Sequence, residues 1–256
     1  MSPLKSYQYA ELACYVIDHS GSMNQTGKSH KSKAEEVESA IKAAWKYILG
    51  FEGSRRTAIA TNLYVAVVSF STEAEITLPP TALSTFETPA EIDRLNLYGH
   101  GRMESTDFLK GLSKALDAIR MFKEIEEVKD FDEKDQLISI IFMSDGEDNI
   151  NSEAEILTVT KELTAQGANL PCAYYGKENE KGAILLQKMA FHKVAAYQKY
   201  KFLANPSQED FKKFLIKHST TVAGPKEGID EGKTRVVGSP DVTSVPPPAE
   251  DDDPFS

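Results

Sequence analysis

Apolar residues along the chain fall into short, nearly unbroken runs, separated by stretches in which they recur every three or four positions. The runs are residues 12–17 (LACYVI), 63–70 (LYVAVVSF), 137–143 (LISIIFM) and 170–175 (LPCAYY), with a weaker one at 200–203. Near-continuous apolarity over so few residues marks strands covered on both faces, as in a parallel sheet. Between the runs lie helical stripes. Val37, Ile41, Ala44, Trp45 and Ile48 form one, and Phe108, Leu112, Ala115, Leu116 and Ile119 another. Ile156, Val159 and Leu163 make a third; Phe211, Phe214 and Leu215 make a fourth. Residues 73–78 follow Phe70 too closely for a helical crossover and read as an antiparallel return strand. The alternation predicts a doubly wound α/β fold: a mostly parallel, six-stranded sheet with one antiparallel edge strand and helices on both faces.

The pattern stops near Val222. Residues 223–256 hold six of the chain's twelve prolines and four of its fifteen glycines, with eight acidic side chains against three basic ones. Such a segment buries too little apolar surface to offset its conformational entropy, so the expected organisation is a folded domain at 5–222 and a disordered acidic tail at 223–256. The whole chain of 256 residues carries a formal charge of −10, which argues against a nucleic-acid footprint. No apolar run is long enough to span a bilayer, and the N-terminal MSPLKSYQYAEL lacks the apolar stretch of an export signal. The expected setting is therefore cytoplasmic. The two cysteines, Cys14 and Cys172, fall within apolar runs on strands that should not be neighbours. They read as small core residues and not as a disulfide or a zinc site.

Open parallel sheets bind ligands at the carboxyl ends of their strands, so the polar residues directly after the apolar runs are the candidates for chemistry. After the first strand comes Asp18-His19-Ser20-Gly21-Ser22-Met23, in which Asp18, Ser20 and Ser22 stand two apart and can aim three oxygens at one point. After the central strand comes Ser144-Asp145-Gly146-Glu147, with the glycine permitting a sharp turn. Before the Phe108 helix sits Ser105-Thr106-Asp107. Three loops thus bring hard oxygen donors to one sheet edge. Hydroxyls, two carboxylates and room for water describe a Mg²⁺ site better than a zinc site or an all-protein calcium cage. A remaining coordination position would be open to an outside acceptor, an Asp or Glu of a partner protein.

These residues resemble the von Willebrand factor A domain with its metal-ion-dependent adhesion site. The family motif D-x-S-x-S stands here as Asp18, Ser20 and Ser22; its threonine looks like Thr106, and its later aspartate like Asp145. The resemblance covers about residues 10–220 and implies a Rossmann-like fold. It also implies that the two serines and the threonine contact Mg²⁺ or Mn²⁺ while the aspartates complete the site directly or through water. Intracellular members act as adaptors in assemblies with ATPases, kinases or phosphatases, which implies such a role here and no enzymatic reaction. The approach to the threonine, Gly99-His100-Gly101-Arg102-Met103-Glu104-Ser105-Thr106, is longer than the family's usual one. It leaves Ser105 and Thr106 as alternative ligands, and it puts Glu104 where it could fill the open position itself.

Other readings compete. Gly21 to Ser29 follows a strand and precedes a helix like a phosphate-binding loop, but five residues separate its glycines where the nucleotide motif needs four. An aspartyl-phosphate hydrolase would want a second acid two residues after Asp18, where Ser20 stands. Lys28, His30, Lys31 and Lys33 crowd the rim of the proposed site; Lys28 and Lys31 are candidates for contact with an acidic partner, though a solvated loop explains them as well. Glu147 and Asp148 are expected to face solvent. The tail ends in an acidic cluster and Phe255, which resembles the C-terminal peptide of bacterial single-stranded-DNA-binding proteins, with Ser256 added after the aromatic. An interaction protein acting through that tail is the second alternative. The sequence leaves the oligomeric state open.

Overall fold

A computed structural model of the chain describes residues 9–51, 62–98 and 105–219. The proposed tail, Glu104 and Phe255 lie outside the described residues. Strand β1 (Ala10–Asp18) opens the domain and is buried along its whole length. A short 3-10 turn (Gly21–Asn24) leads to α1 (Lys33–Ile48), followed by β2 (Leu63–Phe70) and β3 (Ala74–Ala82). After α2 (Pro89–Asp93) come α3 (Phe108–Lys123), α4 (Glu126–Lys129) and β4 (Gln136–Ser144). The remainder runs α5 (Glu153–Ala165), β5 (Ala168–Asn169), β6 (Cys172–Tyr174), α6 (Lys181–Met189), β7 (Phe202–Ala204) and α7 (Gln208–Ser219).

The strands form one sheet in the order β3-β2-β1-β4-β6-β7, with β5 also paired to β4. All pairs are parallel except β2–β3. The sheet thus has seven strands where the apolar pattern predicts six. The additional strand is β5, which precedes the predicted run 170–175; Leu170 and Pro171, the latter with no N–H to donate to a ladder, separate it from β6. β3 also outlasts its predicted span. It carries Pro79 and Pro80, which an edge strand tolerates, and its pairing with β2 is irregular between Val65 and Val68.

Alternation along β1 explains the continuous runs. Leu12, Cys14 and Val16 join the core that α3, α5 and α6 cover, through Phe108, Leu112, Ile119, Ile156, Leu163, Ala183 and Leu186. On the other face Tyr15 accepts the Trp45 indole N–H from α1 at 2.9 Å and bonds the Ser219 hydroxyl of α7 at 2.6 Å. Both faces of the strand are buried, so both sets of positions are apolar. The predicted stripes are the buried faces of α1, α3, α5 and α7, with Leu116 and Val159 half-buried at their margins. Cys14 and Cys172 are buried free thiols. They lie on β1 and β6 with β4 between them. Among the described residues no helix is long and apolar enough to cross a membrane.

From β1 the chain moves outward through β2 to the β3 edge, then returns through α3 to β4 on the opposite side of β1. The reversal occurs at β1, so the crevice at the carboxyl ends of β1 and β4 is the switch point of the sheet.

Candidate metal site

Register brings the site together. Ile17 of β1 pairs with Met143 of β4, so Asp18 and Ser144 leave the sheet side by side. Asp18 is fully buried. Its Oδ1 accepts the Ser20 backbone N–H at 2.7 Å and its Oδ2 accepts the Ser144 hydroxyl at 2.6 Å. Burial pushes its carboxyl up to about 6, against the pull of those hydrogen bonds and with a further push from the nearby Asp145 charge. The first bond closes the bend that turns the chain away from β1. Beyond it, Ser20 Oγ lies 3.0 Å from Ser22 Oγ, and Ser22 donates to Asp145 Oδ1 at 2.6 Å. The D-x-S-x-S loop and the end of β4 are therefore linked through hydroxyls and carboxylates.

Thr106 arrives from a third direction. Asp107 caps α3 by accepting the Lys110 N–H at 3.1 Å, and its own N–H donates to Ser71 O just past β2. Thr106 directly precedes that cap and is buried, while Ser105 is half-buried. The carbonyl of Thr106 accepts the Asn149 N–H at 3.3 Å, tying the loop to the turn after β4. Asp148 tightens the same junction. It accepts the Phe108 N–H at 2.7 Å, those of Ile150 and Asn151, and the Asn151 side-chain amide. The expectation that Asp148 faces solvent is thus corrected: it is a clasp between two site loops, its carboxylate held by Phe108, Ile150 and Asn151.

Gly146 marks the point of convergence. A Cβ built on it would lie 3.3 Å from Thr106 Oγ1, 3.8 Å from Asp18 Oδ2 and 3.8 Å from Ser22 Oγ. Oxygens from three loops surround one small cradle, and two carboxylates lie among them. Among the described residues no group of three or more His, Cys, Asp or Glu side chains is placed to hold a metal. This set is instead rich in hydroxyls, and its oxygens suit a hard divalent cation such as Mg²⁺ or Mn²⁺.

A model of the von Willebrand factor type A domain matches residues 14–147, from β1 to just beyond β4. The chain belongs to that family. Solved structures agree on the fold of this von Willebrand factor A domain. The PilB minor pilin from Streptococcus sanguinis superposes with a TM-score of 0.59 at 15% identity, over 87% of this chain and 65% of the pilin. Proximal thread matrix protein 1 from the mussel byssus, with a zinc-occupied metal-ion-dependent adhesion site, gives 0.51 at 18% identity, over 81% of this chain and 46% of its own. Manganese-loaded TRAP protein from Plasmodium vivax gives 0.53 at 12% identity, over 82% of this chain and 74% of TRAP. The chain thus spans about half the length of the mussel protein. No curated protein matches the sequence.

Two basic groups at this domain's rim have definite positions. Lys28 is exposed and donates to the Asn205 carbonyl at 2.6 Å, so it ties the loop after β1 to the turn before α7. Lys31 is exposed and lines a charged groove along α1 with Glu35, Glu38 and Lys42. Sequence reasoning missed two functional neighbours. Ser144 reads only as the first polar residue after a strand, yet it orients Asp18. Lys33 reads as one of several rim cations, yet its ammonium lies 2.5 Å from Asp145 Oδ2.

Proposed function

We propose that this domain is a protein-interaction module that works through a Mg²⁺ or Mn²⁺ ion held by Asp18, Ser20, Ser22, Thr106 and Asp145. The observation that carries the reading is the cradle at Gly146, where Thr106 Oγ1, Asp18 Oδ2 and Ser22 Oγ all lie within 3.8 Å of one built position. The bound cation supplies an electrophilic centre to which a carboxylate of another protein can bind. Ser20, Ser22 and Thr106 offer neutral donors, so the two aspartates alone balance the 2+ charge and the ion keeps appetite for one more anion. Asp18 is aimed by Ser144, and Asp145 by Ser22. Thr106, rather than Ser105, is the hydroxyl we assign, because its Oγ1 faces the other oxygens. Zinc and manganese in two structural neighbours lend support for a divalent ion.

The nucleotide reading has less support. Gly27 donates its N–H to Lys31 O, and the Ser29 N–H goes to the Glu36 carboxylate at 2.5 Å. That carboxylate also sits within 2.6 Å of where a Gly27 Cβ would be. A loop that closes on its own anion has little left to offer phosphate. Binding without catalysis, in an intracellular assembly with an ATPase, kinase or phosphatase, completes the proposal and rests on family resemblance.

Affinity capture tests it, using wild type and the Asp18→Ala, Ser20→Ala double variant, each with Mg²⁺ or with EDTA. A partner held only by wild type in Mg²⁺ is the expected result. The same partners in all four conditions would overturn the metal-completed interface.

A further inference from the structure

Lys33 is the first residue of α1, and its ammonium crosses to a carboxylate 112 positions later. Its place is fixed by backbone bonds: the Lys33 N–H donates to Gln25 O at 3.0 Å, and Thr26 bridges to Ser32. Ser32 and Glu35 add a reciprocal capping box at the same helix end. The side chain is anchored beside the D-x-S-x-S turn and reaches inward, with only 20% of it exposed, to the wholly buried side chain of Asp145. Both oxygens of Asp145 are engaged, Oδ1 by Ser22 and Oδ2 by Lys33.

From this geometry we infer that Lys33 is a tethered counter-ion that exchanges with the divalent cation at Asp145 and thereby sets the metal affinity. The inference rests on the metal reading above. A buried carboxylate without a cation is costly, and the ammonium supplies one when the metal is absent. A divalent ion at the cradle repels that ammonium at short range, so Lys33 must leave Asp145 Oδ2 as the ion enters. The chain's own lysine is then a competitor. Metal binding has to replace an ion pair that already exists, while the metal-free domain keeps its loops in place because Asp145 remains neutralised. Freed from Asp145, the ammonium stays tethered at the rim of the site.

The test uses the full chain, comparing wild type with Lys33→Met, which keeps length and packing, and Lys33→Gln, which keeps a polar end. Mn²⁺ and Mg²⁺ are titrated by calorimetry, and melting is followed in EDTA. The expected result is that both variants bind Mn²⁺ about tenfold or more tightly than wild type, the scale on which a neighbouring like charge acts. Both should also melt at lower temperature in EDTA, because Asp145 then lacks its partner. A purely structural lysine would lower the melting temperature without tightening metal binding, and equal or weaker Mn²⁺ affinity in both variants would overturn the inference. If neither wild type nor variants bind either ion, the metal reading itself falls, and this inference with it.

Discussion

Ser144 donates its hydroxyl to Asp18 Oδ2 at 2.6 Å, joining the last residue of β4 to the last residue of β1. The same hydroxyl accepts the Gly146 N–H at 3.0 Å, so one side chain fixes both the first aspartate and the turn that forms the cradle. Ser144→Ala removes a donor from a buried carboxylate. Hydrogen bonds to charged groups contribute about 1.5–3 kcal/mol, and a loss of that order in urea denaturation is the expected outcome. Metal affinity should fall in parallel because Gly146 loses its anchor. A variant as stable as wild type would show that Asp18 does not depend on Ser144.

Gly182, near the start of α6, packs against the same turn. A Cβ there would stand 2.3 Å from the Gly146 carbonyl oxygen and 2.9 Å from the Tyr174 ring. The first obstacle is backbone and has little room to give. Gly182→Ala should therefore cost about 1–3 kcal/mol by overpacking, and should weaken metal binding by displacing Gly146. Gly21 is the control within the same site: nothing lies within 4 Å of its would-be Cβ. Gly21→Ala is expected to change stability by less than about 0.5 kcal/mol. Equal effects from the two substitutions, measured by thermal melting, would show that α6 does not brace the cradle.

What was legible in the sequence follows from how local each signal is. Asp18, Ser20, Ser22 and Asp145 stand directly after apolar runs, so the fold class alone points to them. Thr106 was legible only as one of two neighbours, because the direction of a loop hydroxyl depends on the Asp107 cap and on Asn149, about forty residues away. Ser144 and Lys33 were missed as partners of the aspartates because each pairing spans more than a hundred residues and leaves no local pattern. Asp148 looked solvent-facing for the same reason: its role lies in backbone N–H groups that any residue type could supply. The shorter elements were hidden by length. α6 has nine residues, too few for a clear stripe, and β5 is a two-residue strand that ends before the apolar run 170–175 begins.

A pH response is expected from the opposite part of the domain. The rings of His192 and His218 lie 5.7 Å apart, and Phe214 packs on His218 at 4.5 Å. His218 Nε2 bonds Tyr200 O at 3.0 Å, while its buried Nδ1 has no hydrogen-bond partner among the described residues. Burial lowers His192 to about 4 and His218 to about 3, with Lys217 opposing protonation of both. In the unfolded chain both titrate near 6.5. The unfolded state therefore binds more protons below that pH, and stability falls as pH drops from about 6.5 towards 4. His218→Phe removes one such group. Urea midpoints between pH 7 and 4 should decline less steeply for the variant; parallel declines would mean His218 does not contribute.

Metal linkage gives the most direct check on the site as a whole. An ion that binds only the folded state stabilises it according to its free concentration over Kd, by about 2.7 kcal/mol at a hundredfold excess. For a domain of this size that corresponds to a rise in Tm of roughly 5–10 °C. Mg²⁺ and Mn²⁺ should each produce a concentration-dependent rise, reversed by EDTA. Ser20→Ala and Thr106→Ala should abolish or strongly reduce it while leaving melting in EDTA within about 1–2 kcal/mol of wild type, since each removes only a hydroxyl. Asp145→Ala tests charge as well as coordination. It removes one of two anions and leaves the half-buried Lys33 ammonium without its partner, so it should both lose the metal response and melt lower than the hydroxyl variants in EDTA. A rise in Tm that survives all three substitutions would place the responding ion elsewhere on the domain.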